Sequence, residues 1–176
     1  MQVFKSPSTY PTKNIMLFLG GSIEMGVADD WQTEITNAMR DLDLTVLNPR
    51  RDTWDSSWEQ RMSNPIFKEQ VEWELNALNR ADLIAMYFDP NTKSPISLLE
   101  LGLFKDKPMV VCCPDGFYRK GNVEIVCNLY NITLTHTKAE FINTLHSLSD
   151  DFIKDAIVKW NEWESFLKSK TIALGK

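Results

Sequence analysis

A chain of 176 residues with 43% hydrophobic content is long enough for one domain with a substantial core, and short for two. Its formal charge of −5 and pI near 5.1 argue against a nucleic-acid partner, because phosphate binding needs a basic surface whose counterions can be released. No apolar run approaches the roughly 20 residues that span a bilayer, and Met1 to Asn14 is too polar for a signal peptide, so no membrane partner is expected and cytoplasmic residence is the default.

In chain order, Ile15 to Leu19 reads as a short apolar strand running into Gly20-Gly21-Ser22, and Asp29-Asp30 caps an amphipathic segment through Leu42. Leu44 to Leu47 is a second strand. The polar loop Asn48 to Trp58 that follows, with Trp54, exceeds the usual connection of about 4–6 residues and reads as a lid or pocket wall. Asn64-Pro65 opens a helix through Arg80, with Ile66, Val71, Leu75 and Leu78 as the expected core stripe. A buried strand, Leu83 to Phe88, then ends in the turn Asp89-Pro90.

Ser94-Pro95 has the form of an N-cap followed by proline at the first helical position. Beyond that helix come a strand from Pro108 to Cys113, a loop with Gly116 and Gly121, a short helix from about Val123 and a strand near Ile132 to Leu134. Thr137-Lys138-Ala139-Glu140 is a capping box. Asp150 to Lys170 reads as a final amphipathic helix bearing Trp160, Trp163 and Phe166, expected to pack on the body because burying two tryptophans within one chain needs no partner.

Strands alternating with helices imply an α/β fold: a single-domain, five-stranded parallel sheet with helices on both faces, Rossmann-like or flavodoxin-like. The expected division is an α/β domain over residues 1–148 and a C-terminal helix over 149–176, packing on the body or on a partner subunit. Cys112, Cys113 and Cys127 read as buried reduced thiols, and His136 and His146 have no metal-ligand spacing with them. Neither a metal nor a cofactor is expected.

Three polar features should meet at the carboxyl edge of this sheet, where open α/β folds bind ligands. They are Gly20-Gly21-Ser22, the segment Asp89 to Ser94 and the loop Gly116 to Asn122. The glycine pair serves either close backbone approach to a ligand or only a tight turn. No dinucleotide or P-loop glycine pattern is present. Glu100 is a single carboxylate inside the apolar run Leu98-Leu99-Glu100-Leu101, and Glu74 stands four residues after Gln70 on one helix face. Two carboxylates, one nucleophile and one acid, are what chemistry at an anomeric carbon requires. Trp54 and Trp58 read equally as base-stacking residues or as loop packing.

These residues resemble the nucleoside 2-deoxyribosyltransferases and their relatives, the 2'-deoxynucleoside 5'-monophosphate N-glycosidases, over roughly Ile15 to Leu134. The likeness rests on Gly21-Ser22-Ile23, on Trp73-Glu74-Leu75 placed ahead of Ala81-Asp82, and on Ser97-Leu98-Leu99-Glu100-Leu101-Gly102, which matches the nucleophile motif. The resemblance implies that Glu100 attacks C1' to form a covalent deoxyribosyl-enzyme and that Glu74 handles the nucleobase proton. It further implies that Ser22, Ser94 and Asn122 bind substrate, a nucleoside or nucleotide together with a free nucleobase, to which the reading of the sheet edge adds Gly21 and Asp89 and the loop reading adds Trp54 as candidates. Asn122 falls roughly where the transferases send an asparagine into a neighbouring subunit's pocket, which implies a homo-oligomer.

Three positions depart from the family pattern. Phe18 stands where a tyrosine hydroxyl touches the nucleophile, leaving Glu100 to find another partner, Tyr87 or a water. Ile96 replaces a glycine. Ser94 stands where the transferases carry aspartate and the monophosphate hydrolases serine, and Arg50, Arg51, Arg119 and Lys120 are the cations available to a phosphate. The alternatives to sugar transfer are therefore hydrolysis of a nucleoside 5'-monophosphate, or a non-catalytic nucleotide sensor on the same fold.

Overall fold

The computed structural model describes residues 1–11, 14–24 and 28–174, with side chains described through Ser165. Its strands are β1 (Gln2–Lys5), β2 (Ile15–Gly21), β3 (Leu44–Asn48), β4 (Leu83–Tyr87), β5 (Met109–Cys112) and β6 (Thr133–Thr135). They form one sheet in the order β1-β3-β2-β4-β5-β6, and every pairing is parallel. The sheet thus has six strands rather than five. The added strand, β1, lies at the edge and pairs only with β3, from Gln2 against Thr45 to Lys5 against Asn48. Its four residues, Gln2-Val3-Phe4-Lys5, are exposed or half-buried and neither alternate nor form an apolar run, so they give no buried-strand pattern to read.

The helices are α1 (Trp31–Ala38), α2 (Pro65–Arg80), α3 (Pro95–Leu103), α4 (Lys120–Tyr130) and α5 (Lys138–Leu174). Strand alternation divides the core in two. On β4, Leu83, Ala85 and Tyr87 point into a cluster with Trp31 of α1 and Phe141 and Leu145 of α5. Ile84 and Met86, followed by Phe88, face a second cluster with Trp73 of α2, Leu101 of α3 and Val123 of α4. Each fully buried Leu or Phe in these layers contributes about 1.5–3 kcal/mol. Cys112, Cys113 and Cys127 are buried free thiols, as expected.

The inner stripe of α2 differs from the expected one. Gln70, Trp73, Ala77 and Leu78 are buried, whereas Ile66 and Leu75 are exposed. The helix is turned so that Gln70 reaches a polar network and the Trp73 indole N–H donates to Ser8 O at 2.8 Å. The capping box at α5 forms as read, with Glu140 N donating to Thr137 Oγ1 at 3.2 Å and Glu140 Oε2 accepting from His136 N at 3.1 Å.

α5 is one continuous helix from Lys138. At 1.5 Å per residue it is roughly 55 Å long. Its first turns bury Phe141, Leu145 and Ser149 and half-bury Phe152 and Ile153. Beyond them Ile157, Val158, Trp160 and Trp163 are exposed, so the expectation that the tryptophans pack on the body fails. The helix outruns the surface it packs on. The side chain of Phe166, the third aromatic of that reading, lies outside the described residues. Among the described residues no helix is long and apolar enough to cross a membrane.

Candidate functional site

β2 is hydrogen-bonded to β3 on one side and β4 on the other, and the chain leaves it first toward β3 and later returns to β4. The carboxyl ends of β2 and β4 therefore form the topological switch point, where open α/β sheets leave a crevice. The turns after these two strands interlock there. Ser22 N donates to Tyr87 O at 2.8 Å, and Asp89 N donates to Ser22 Oγ at 2.8 Å. Gly21 is obligatory for this closeness: its φ is +133°, and a Cβ would stand 2.2 Å from Tyr87 O. What demands glycine here is the β4 backbone.

Three hydroxyls close into a triangle at this point. Ser22 Oγ lies 2.6 Å from Ser94 Oγ and 2.9 Å from Thr92 Oγ1, and the Thr92 and Ser94 oxygens are 2.8 Å apart. All three residues are buried. Asp89 braces the assembly without joining the triangle, its Oδ1 accepting from Asn91 N at 2.9 Å and its Oδ2 from Asp29 N at 3.3 Å.

Ser94 occupies the N-cap position of α3 but makes no side-chain cap, because its hydroxyl is turned into the triangle. Its backbone is left-handed, φ 45°, an uncommon conformation for a serine. In its place Glu24, also left-handed at φ 40°, accepts from Lys93 N at 2.5 Å and from Ser94 N at 2.9 Å through Oε1.

Along α3 the buried residues are Ser97, Glu100 and Leu101. Ser94, Ser97 and Glu100 fall three residues apart, so the inner face of the helix carries hydroxyl, hydroxyl and carboxylate in one stripe. Burial, with the charge of Glu74 adding to it, pushes the Glu100 carboxyl up to about 8. Glu74 is half-buried on α2 and is raised by burial to about 7, with the Gln70 hydrogen bond opposing the rise. Gln70 Nε2 donates to Glu74 Oε1 at 2.7 Å and to Pro49 O at 2.8 Å, while Gln70 Oε1 accepts from Ser6 Oγ at 2.6 Å. The unread strand β1 thus supplies, through Ser6, an anchor for Glu74.

Other sequence candidates lie elsewhere. Tyr87 belongs to the opposite face of the sheet, packed with Trp31 and Phe141, and is no substitute for the hydroxyl missing at Phe18. Asn122 is exposed on α4 and lines a groove with Leu98, Leu101 and Gly102 of α3. Trp54 packs edge-on to Trp58 at 5.2 Å, and its indole N–H is buried without a partner among the described residues. The cations are engaged. Arg50 donates to Ala28 O and Asp29 O, Arg51 pairs with Glu69, Lys120 with Asp115, and Arg119 stacks on Tyr118.

Sequence reasoning passed over Glu24, Gln70 as a positioning group, Thr92 and Ser97. The threefold spacing of Ser94, Ser97 and Glu100 was a readable signal for Ser97. Nothing in sequence announces Glu24, which reaches α3 across 70 positions.

A family model described as nucleoside 2-deoxyribosyltransferase like matches residues 14–117. The chain belongs to this nucleoside 2-deoxyribosyltransferase-like family. The matched span contains both carboxylates and the hydroxyl triangle and ends before Asn122. No curated protein sequence matches the chain. Among solved structures it is similar to a crystal structure titled as a conserved protein from Enterococcus faecalis, with 13% identity, a TM-score of 0.53, and coverage of 74% of this chain and 96% of that one. That likeness concerns the fold alone.

Proposed function

We propose that the protein cleaves the N-glycosidic bond of 2'-deoxynucleosides through a covalent glycosyl-Glu100 intermediate and passes the sugar to another nucleobase. The observation that carries this reading is the carboxyl pair, Glu100 buried on α3 and Glu74 half-buried on α2, both raised toward neutrality in a deoxyribosyltransferase-like fold, with hydroxyls suited to a sugar on the same face of α3. Around pH 7 to 8 such a pair holds one proton and one negative charge between them. Because Glu74 is raised less than Glu100, the shared proton rests mainly on Glu100, and the productive arrangement, with the proton on Glu74 and the charge on Glu100, is the minor form of the same charge state.

Glu100 Oε forms the bond to C1' as the bond from C1' to the base nitrogen breaks. The electron pair leaves with the base, which takes the proton from Glu74. A second base then attacks C1' through a ring nitrogen, Glu100 departs as carboxylate, and the proton of the incoming base returns to Glu74. Water in place of that base gives hydrolysis with the same first step.

The α3–α4 face supports a homo-oligomer. Ile96, Leu99, Leu103, Ile125 and Leu129 are exposed apolar side chains on these two helices, beside the groove that holds Asn122. A second subunit on this face would bring Asn122 toward the neighbouring site.

The test is incubation with 2'-deoxyadenosine and a second free base, followed by chromatography and intact-protein mass spectrometry. Exchanged nucleoside with a deoxyribosyl adduct on Glu100 is the expected result. Free adenine without exchange identifies a hydrolase. Unchanged substrate with binding intact identifies a sensor and overturns the proposal, as does full activity in Glu100→Ala.

A further inference from the structure

The apolar side of α5 does not end where the body beneath it does. Leu145, Ser149 and Phe152, which are turned to the body, are followed at the same three-and-four spacing by Ala156, Trp160 and Trp163, so one face of the helix carries both sets. Beyond Ile153 this face is uncovered, with Ile157 54%, Trp160 67% and Trp163 55% exposed, over roughly 30 Å of helix. A helix rich in aromatic and β-branched residues draws its stability from packing rather than from propensity, so this arm needs a surface to lie on.

We propose that the projecting arm of α5 seats in the α3–α4 groove of a second copy of this chain, each subunit lending its arm to the other. This rests on the homo-oligomer reading above and names the element that joins the subunits.

Three observations lead there. First, the arm cannot reach its own groove. α5 packs on the face of the sheet that holds Trp31, whereas α3 and α4 cover the opposite face, and α5 is one continuous helix with no break at which to fold back. A second copy supplies the same groove without that obstacle.

Second, the two surfaces match in shape and character. The groove has a volume of about 310 Å³ and apolar walls that include Leu98, Leu101, Val123 and Val126. Gly102 leaves it open, since an added Cβ there would meet nothing within 4 Å. Such grooves take an apolar helix face through anchors about one turn apart, the spacing that Ile157, Trp160 and Trp163 have. Taking an aromatic side chain as about 200 Å², the two tryptophans of two arms and the grooves that cover them bury roughly 1,000 Å², close to a standard interface before Ile157 is counted.

Third, the charges are complementary. Between Asp150 and Ser165 the arm carries five carboxylates against two lysines. Arg119, which lines the groove, stacks on Tyr118 and pairs with no carboxylate among the described residues. An acidic arm suits that cation, and it is repelled by an anionic membrane surface. Reciprocal exchange also closes, because a two-fold pair uses both arms and both grooves and leaves none to start an open chain.

The experiment compares assembly of the full-length protein, Trp160→Glu, which spoils the arm, and Gly102→Glu, which fills the groove, by sedimentation and native mass spectrometry. Each variant alone should raise the dimer dissociation constant at least about thirtyfold, as loss of a central anchor does. Mixing the two should restore a dimer holding one copy of each, because the intact arm of Gly102→Glu protein enters the intact groove of Trp160→Glu protein. Ile157→Glu should act as Trp160→Glu does and guards against a folding defect in the first arm variant.

Assembly that survives both arm variants overturns the proposal and leaves the homo-oligomer reading standing. Assembly lost with the arm but kept in Gly102→Glu, or a mixture that forms no mixed dimer, also overturns it, since the arm then docks elsewhere, on another α5 or on a different protein. A parent protein that stays monomeric at high concentration overturns the homo-oligomer reading and the arm with it.

Discussion

The Gln70 amide holds the Glu74 carboxylate, with Nε2 donating to Oε1 at 2.7 Å, and is itself fixed at its other end by Ser6 Oγ at 2.6 Å. This bond favours the ionised form of Glu74 against the burial that raises it. Gln70→Met keeps the length of the side chain and removes these two bonds together with the one to Pro49 O. The Glu74 carboxyl then rises further, and the alkaline limb of the kcat/KM profile, which Glu74 sets, should move to higher pH. A purely structural role for Gln70 would lower the plateau and leave the profile in place.

The carboxyl pair also fixes the form of that profile. Below about 7 both groups hold protons and the nucleophile is absent; above about 8 both are ionised and the acid is absent. A bell with limbs in this region is expected for kcat/KM. Glu74→Gln should remove the alkaline limb and lower the maximum by about two to four orders of magnitude, the usual size of a general-acid contribution. It should also shift the acid limb to lower pH, because the negative neighbour that raises Glu100 is gone. A variant that keeps both limbs would show that another group is the acid.

How far the sequence could be read follows from what each residue packs against. Glu100 was legible because one carboxylate in an apolar helical run has to be buried. Its helix was placed by the Ser94-Pro95 pair, although the Ser94 hydroxyl engages Ser22 rather than its own helix end. The α2 stripe was misread in phase, since a buried Gln70 with three hydrogen bonds is polar in sequence and so reads as outward-facing. β1 was invisible for a related reason. It is an edge strand with half-exposed side chains, and its importance lies in the Ser6 that follows it. Long-range polar contacts leave no periodic trace.

Burial of Glu100 should cost stability. Its carboxyl titrates near 4.5 when exposed and near 8 in the folded protein, so between these values the native state binds the proton more tightly than the unfolded chain does. Stability contributed this way is full at pH below about 4.5 and is lost as pH rises toward 8. Glu100→Gln removes the loss. A tenfold difference in proton affinity corresponds to about 1.4 kcal/mol, so even half of the gap between the two states is about 2 kcal/mol, or about 5 °C in Tm for a domain of this size. Thermal melts at pH 8 should therefore place Glu100→Gln above the parent protein, with the difference shrinking toward pH 5. An inactive variant that is also less stable at pH 8 would refute the buried, strained carboxylate.

The apolar α3–α4 face predicts concentration-dependent assembly. Leu99→Glu and Ile125→Glu place charges on side chains that are 57% and 68% exposed in the single chain, so neither should disturb the fold of the monomer. Light scattering should show the parent protein as an oligomer and the double variant as a monomer with unchanged circular dichroism. Base exchange should fall with assembly if Asn122 acts across subunits, and adding the Asn122→Ala variant, which assembles normally, should not restore it. A parent protein monomeric at high concentration would remove both expectations.

Gly21 ties these properties to the backbone. With φ at +133° and Tyr87 O only 2.2 Å from the position of an added Cβ, even alanine cannot be accommodated without separating β2 from β4. That separation would break the Ser22 N to Tyr87 O bond, then the Asp89 N to Ser22 Oγ bond, and with them the hydroxyl triangle. Left-handed strain and the lost bonds each contribute about 1–3 kcal/mol. Gly21→Ala is therefore expected to lower Tm by more than about 10 °C or to yield insoluble protein, whereas Gly102→Ala, where an added Cβ meets nothing within 4 Å, should leave Tm unchanged or slightly raised, since alanine is favoured over glycine within a helix. Equal melting of the two variants would mean that the β2–β4 junction tolerates opening, and the site would have to be held by α3 alone.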